Sequence, residues 1–191
     1  MSDLAHFVRV YDGALPAGLC EAVVERFDAE TRHHTGPGGI PEGERHGDRE
    51  SRWTELNIER LDGWADLRPA LVASTQEYGR RYGEDCRVGL PPRAKLEDYR
   101  IKRYDPSRGD HFRPHLDADS LGNAKRFLVF FWYLADVAEG GETAFPDLDI
   151  SVAPRQGRLL MFPPFWMYPH AGLPPRSGPK YILGTYLTYA V

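Results

Sequence analysis

The chain has 191 residues, 41% of them hydrophobic and 27% charged. That length and composition suit one domain with a full apolar core and exclude a disordered or fibrous protein. With a net charge of -4 there is no basic footprint for nucleic acid, Arg80 and Arg81 forming only a local patch.

The N-terminus, MSDLAHFVRVYDGALP, lacks the basic stretch and continuous apolar run of a secretory leader. No segment approaches the ~20 apolar residues of a spanning helix, so a cytoplasmic protein without membrane contact is expected. Cys20 and Cys86 have no zinc-like spacing and read as reduced packing residues.

In chain order, LPAGLCEAVVERFDAETRHH opens on a proline and sets Leu19, Val23, Val24 and Phe27 at helical spacing, predicting an amphipathic helix. Residues 35–51, TGPGGIPEGERHGDRES, break every pattern with glycine, proline and charge. They are expected to form a long loop, a candidate for closure over substrate. A second helix is predicted over Asp66 to Tyr82, with Leu67, Leu71 and Tyr78 on its buried face. From Leu96 onward the period changes from helical to alternating. Tyr99 and Ile101, then RFLVFFWYLADV, RLLMFP and KYILGTYLTYAV, read as strands separated by DPSRGD, EGGE and PPRSGP turns. No helix-sized pattern intervenes, so these strands should pair antiparallel as a sandwich or small barrel.

Just after Pro114 has ruled out a helix, FRPHLDADS places His115 and Asp117 two residues apart, the spacing of one face of a strand. A nitrogen and an oxygen donor side by side can hold a metal if a third ligand arrives from elsewhere. Of the seven histidines, only His170 lies far downstream in the strand-rich half, where a return strand could bring it back. Two histidines and a carboxylate form the facial triad of non-haem iron(II) oxygenases. Lys180, one of only four lysines, opens the otherwise apolar last strand. Pointing inward it needs an anionic partner, such as the carboxylate of a small ligand.

Residues 96–189 resemble the 2-oxoglutarate/Fe(II)-dependent dioxygenases of the prolyl 4-hydroxylase-like superfamily. The resemblance rests on YRIKRYDPSRGDHFRPHLD, RFLVFFWYLADVAEGGETAFP, VAPRQGRLLMFP and HAGLPPRSGPKY, in that order. It implies a mainly β fold, a double-stranded β-helix (jelly-roll) over about residues 91–191, with supporting α-helices in a helical part over about 1–90. Residues 1–191 would then be a single domain. It implies further that His115, Asp117 and His170 bind Fe(II) and that Lys180 pairs with the distal carboxylate of 2-oxoglutarate. Tyr104 would hydrogen-bond that carboxylate, and Tyr133 and Thr143 would line the cosubstrate pocket. The activity implied is hydroxylation of an unactivated C–H bond by dioxygen, coupled to conversion of 2-oxoglutarate to succinate and carbon dioxide, with ascorbate as a further candidate cofactor.

Several neighbours have simpler readings. Asp119 continues the alternation of His115 and Asp117 but reads as solvated or near substrate. His111 is excluded from the ligand set by Pro114, and the glycines of GGE at 140–142 answer a turn requirement. Phe165, Trp166 and Tyr168 read as core aromatics, with a substrate wall as the alternative. Phe112 stands where a tyrosine is common in the family, the loop before it is longer, and the last strand lacks the tryptophan-bearing pattern of collagen-type hydroxylases. Peptidyl proline, a free amino acid and a natural-product intermediate therefore all remain as substrates. A cupin-like iron oxygenase without 2-oxoglutarate and a non-catalytic binding module are the readings from other classes.

Overall fold

The computed structural model describes residues 4–37, 40–41, 51–60 and 63–190. In chain order the elements are β1 (Arg9–Tyr11), α1 (Ala17–Ala29), β2 (Thr35–Gly36), β3 (Ile40–Pro41), β4 (Thr54–Asn57) and α2 (Arg68–Cys86). Then come β5 (Ala94–Leu96), β6 (Arg100–Tyr104), β7 (Phe112–His115), β8 (Arg126–Tyr133), β9 (Thr143–Phe145), β10 (Ile150–Val152), β11 (Leu159–Phe162), β12 (His170–Gly172) and β13 (Lys180–Tyr189). All pairings among the described residues are antiparallel. The larger sheet runs β1-β11-β8-β13-β6-β4-β2-β3, with β5 also on β13, and the smaller runs β10-β9-β12-β7. The two sheets face one another as a jelly-roll.

The continuous apolar run of β8 follows from its burial on both faces. Leu128, Phe130 and Trp132 point to the helices, while Val129 and Tyr133 point between the sheets. Likewise Leu159 and Met161 of β11 face the helices, and Leu160 and Phe162 face the sheet interior. On β13, Tyr181 and Leu183 join the helix-side core. Lys180, Ile182 and Tyr186 therefore fall on the inner face. The helices cover the outer face of the large sheet. Cys20, Val23 and Phe27 of α1 are buried there, as are Leu71, Tyr82 and Cys86 of α2. Burial of Phe27 alone stabilises the fold by roughly 2–3 kcal/mol.

Both helices form where their periodicity places them, with α2 running one turn past Tyr82. Arg87 then ends it in the left-handed conformation. Residues 1–90 are not only helical, however: β1 lengthens one end of the large sheet and β4 pairs with β6. These strands are short and partly polar, so their register comes from partners far along the chain rather than from local pattern. The expected loop of residues 35–51 also begins differently, since β2 pairs with both β3 and β4. Its residues 38–39 and 42–50 lie outside the described residues. The Arg80–Arg81 patch is neutralised within α2 by Glu77, Glu84 and Asp85. Both cysteines are free and buried. Among the described residues no helix is long and apolar enough to cross a membrane.

Candidate active site

The interior of the jelly-roll holds a cavity of about 390 Å3 lined by residues of both sheets. At its floor β12 lies beside β7 with His170 paired to His115. Strand β7 ends at His115, so Asp117 follows in a turn rather than on the same strand. The turn nonetheless folds the carboxylate back onto the imidazoles. Asp117 Oδ2 is 3.4 Å from His170 Nε2, and Oδ1 is 3.7 Å from His115 Nε2. One donor atom from each of the three residues lies within 4.8 Å of the others, a spacing that suits a single metal ion.

Hydrogen bonds on the far side of each group leave the right atoms free. His115 Nδ1 is 2.9 Å from the Arg113 carbonyl, and His170 Nδ1 is 3.1 Å from that of Tyr168. A carbonyl only accepts, so both Nδ1 atoms carry the proton and both Nε2 atoms present a lone pair. The Tyr186 hydroxyl donates to Asp117 Oδ1 at 2.9 Å, leaving Oδ2 open. Arg126 braces the same turn. It donates to the Asp117 carbonyl, forms two hydrogen bonds to Glu97 and lies 3.7 Å over the Tyr186 ring. Burial alone would raise the Asp117 carboxyl pKa, but the neighbouring His170 and His115 hold it well below the usual carboxylate range. Burial drives His170 the other way, down to about 4, against the pull of Asp117.

At the other end Lys180 pairs across the sheet with Tyr104 and is fully buried. Its Nζ lies 5.2 Å from the Tyr104 ring and 5.7 Å from that of Tyr133. Aromatic faces offer a cation partial compensation, and burial still lowers the ammonium pKa to about 7, opposed by Glu142. Two glycines border it, where a Cβ would make ordinary van der Waals contact. A Cβ at Gly172 would lie 3.8 Å from Nζ, and one at Gly141 3.5 Å from Cδ. Lys180 Nζ, His170 Nε2 and Asp117 Oδ2 are buried polar atoms without a hydrogen-bond partner. Buried polar atoms left unpaired in one cavity call for an occupant, whether ion, ligand or water.

Six of the seven residues expected from the sequence line this cavity: His115, Asp117, His170, Lys180, Tyr104 and Thr143. Tyr133 stands behind the wall and acts on it by donating to Thr143 Oγ1 at 2.7 Å. Asp119 sits at the exposed mouth, hydrogen-bonded by Asn123, and His111 bonds to the Gly109 carbonyl in its own loop. The aromatic trio divides: Tyr168 is core, whereas Trp166 is 75% exposed because the short segment before β12 turns it outward. Gly140 and Gly141 adopt positive φ of 73° and 76°, as the turn requires. Trp53, Lys102, Arg126 and Tyr186 were not anticipated. Alternation along β6 and β13 from Tyr104 and Lys180 would have found Lys102 and Tyr186, since each is an even number of residues away.

Comparison with known proteins agrees with this geometry. Residues 99–188 match the family model of the 2OG-Fe(II) oxygenase superfamily. Over 99 residues the chain is 28% identical to prolyl 4-hydroxylase subunit alpha-1 of Gallus gallus, covering 41% of this chain and 18% of that relative. A viral collagen prolyl hydroxylase from Paramecium bursaria Chlorella virus-1, solved with 2-oxoglutarate, superposes with a TM-score of 0.70 at 22% identity, over 97% of each chain. A prolyl hydroxylase from Trichoplax adhaerens, in complex with a hypoxia inducible factor peptide fragment, gives 0.72 at 14% identity, over 96% of this chain and 84% of that one. The family's cofactor and cosubstrates are Fe(II), 2-oxoglutarate and dioxygen. Residues 99–188 thus match the 2OG-Fe(II) oxygenase superfamily, and the chain as a whole has the fold of the prolyl hydroxylases on which it superposes.

Proposed function

We propose that the protein is a 2-oxoglutarate-dependent hydroxylase of the prolyl-hydroxylase type, acting on a proline-containing or amino-acid substrate. The observation that carries this reading is the trio of unpartnered buried atoms, Asp117 Oδ2, His170 Nε2 and Lys180 Nζ, in one cavity. His115, Asp117 and His170 are assigned the iron(II), and Lys180 the distal carboxylate of 2-oxoglutarate. Iron(II) so held supplies the activation of dioxygen that drives decarboxylation of the keto acid and hydroxylation of a C–H bond.

The chain's own residues bind and orient. The Nδ1 hydrogen bonds hold both imidazoles as ligands, and the Tyr186 hydroxyl reserves one Asp117 oxygen for the metal. Lys180 aligns the cosubstrate by charge pairing, with Tyr104 and Thr143 beside it, and Tyr133 sets the Thr143 hydroxyl. The apolar walls, Phe131 and Ile182 among them, keep water from the reacting carbon. A buried, unpaired lysine has no use in a cupin-like reaction without 2-oxoglutarate, so that alternative is disfavoured. The free buried thiols support a reducing, cytoplasmic setting.

The test is succinate formation from 2-oxoglutarate with Fe(II) and air, run with proline peptides and free amino acids while mass spectrometry watches for one added oxygen. Turnover lost in His170→Ala and Asp117→Ala is expected. Succinate formation unchanged in either variant refutes the assignment.

A further inference from the structure

Lys102 is a second lysine of the cavity that the roles above do not use. It stands on β6 between Tyr104 and Arg100, opposite Ile182 of β13, so its side chain shares the inner face with Lys180. Its ammonium lies 4.8 Å from the Trp53 ring and 5.2 Å from the Phe112 ring. Phe112 in turn stacks on His115, so the aromatic platform under Lys102 reaches the histidine at the cavity floor. Among the described residues no carboxylate or hydrogen-bond acceptor partners this ammonium.

The other charges around it are engaged or in water. Glu55 accepts from Arg100 at 2.7 Å and from the Trp53 indole at 3.1 Å. Glu97 is paired with Arg126. The carboxylates of Asp98 and Asp119 are at the exposed mouth, hydrogen-bonded by Asn57 and Asn123. Lys102 is half-buried, with Glu55 its cross-strand neighbour on β4; with the Arg100–Glu55 and Arg126–Glu97 pairs counted as neutral, the two lysine ammoniums and the Asp117 carboxylate remain in the cavity. A divalent iron and a dianionic 2-oxoglutarate cancel one another, as do Asp117 and Lys180. One positive charge is left over, and it is that of Lys102.

Resting on the oxygenase reading above, we propose that Lys102 is a substrate-specificity residue whose ammonium, held on the Trp53–Phe112 platform, binds a carboxylate of the substrate. The target is then a molecule with a free carboxylate close to the hydroxylated carbon, an amino acid or a chain ending in one, rather than an internal residue of a long peptide. Phe112 lies between the ammonium and His115, so a carboxylate bound there sets its neighbouring carbon on the metal-site side of the cavity. Trp53 and Phe112 are half of the recognition, since they hold the amine in place and lower its competition from water.

The experiment uses the full chain loaded with 2-oxoglutarate and Mn(II) in place of iron, and calorimetry as the readout. Acid and amide pairs are titrated: L-proline and L-prolinamide, N-acetyl-L-proline and its amide, and glycyl-proline with and without an amidated C-terminus. At least one acid is expected to bind about tenfold or more tighter than its amide, the range of a charge-assisted hydrogen bond. Lys102→Met should abolish that preference, Lys102→Arg should keep most of it, and 2-oxoglutarate affinity should stay within about twofold in both. Equal binding of acid and amide, or no binding of any acid to protein that has taken up 2-oxoglutarate, overturns the inference. So does a joint loss of 2-oxoglutarate affinity in Lys102→Met, which would make Lys102 a cosubstrate contact. Failure of the unaltered protein to bind 2-oxoglutarate at all is a different result, and it strikes the oxygenase reading itself.

Discussion

Binding of 2-oxoglutarate should take up a proton, because the group assigned to its distal carboxylate is held partly neutral when alone. Burial lowers the Lys180 ammonium to about 7 in the ligand-free protein, and its charged form is the one that pairs with a carboxylate. The sign follows directly: affinity is full below pH 7 and declines as pH rises through that value. At pH 8 roughly one tenth of the free protein carries the charge, and at pH 9 roughly one hundredth, so the dissociation constant rises about tenfold per pH unit, or ~1.4 kcal/mol. Both carboxylates of the ligand are ionised throughout, so the slope belongs to the protein. Calorimetry with Mn(II) in two buffers of different ionisation enthalpy measures it, with about 0.9 proton taken up per ligand at pH 8. Lys180→Arg, which stays charged, should flatten the dependence. A flat affinity between pH 7.5 and 9 in the unaltered protein, without proton uptake, refutes the reasoning.

Three further outcomes are expected. In the absence of metal and cosubstrate, Lys180→Met should stabilise the fold. The fall of the ammonium from near 10.5 to about 7 corresponds to a folding penalty of roughly 4–5 kcal/mol. That penalty is complete below pH 7 and fades towards pH 10.5, so denaturant unfolding at pH 6 and pH 9 should show the gain shrinking, and no gain at pH 6 contradicts it. Tyr186→Phe removes the hydrogen bond to Asp117 Oδ1 and should weaken metal binding by about tenfold with little change in 2-oxoglutarate affinity at saturating metal, read by metal titration. Gly140→Ala should destabilise by about 2 kcal/mol or more, since its φ is +73° and a Cβ would sit 2.5 Å from the Pro174 carbonyl; an unchanged Tm would show that the turn yields freely.

What the sequence discloses and what it hides divide along a physical line. RFLVFFWY and KYILGTYLTY are legible as strands because β-branched and aromatic residues are buried on both faces, and their length leaves no alternative. Thr54–Asn57 is not, because its strand conformation is conferred by β6. The triad was legible as a set of ligand types, but not the way Asp117 reaches it from beyond the strand end. That depends on the Arg126 and Tyr186 contacts, which come from elements far along the chain. Lys102 was passed over because a lysine in a strand such as RIKRY looks like an exposed charge until the opposite strand shows which face is inside.

Strand β13 sits between β8 and β6 at the centre of the large sheet, yet follows every other strand in chain order. Before residues 180–189 are in place, the group built on β8 and the group built on β6 have no shared edge. During synthesis each half must therefore wait with an unpaired strand edge, and most of the sheet's long-range contacts form together when this segment arrives. The same segment begins with Lys180, so the step that joins the two halves also delivers the cation to the cavity. A chain interrupted before that point should accumulate as a sticky intermediate that carries His115, Asp117 and His170 but lacks Lys180, and chaperone dependence should concentrate there rather than at the helices.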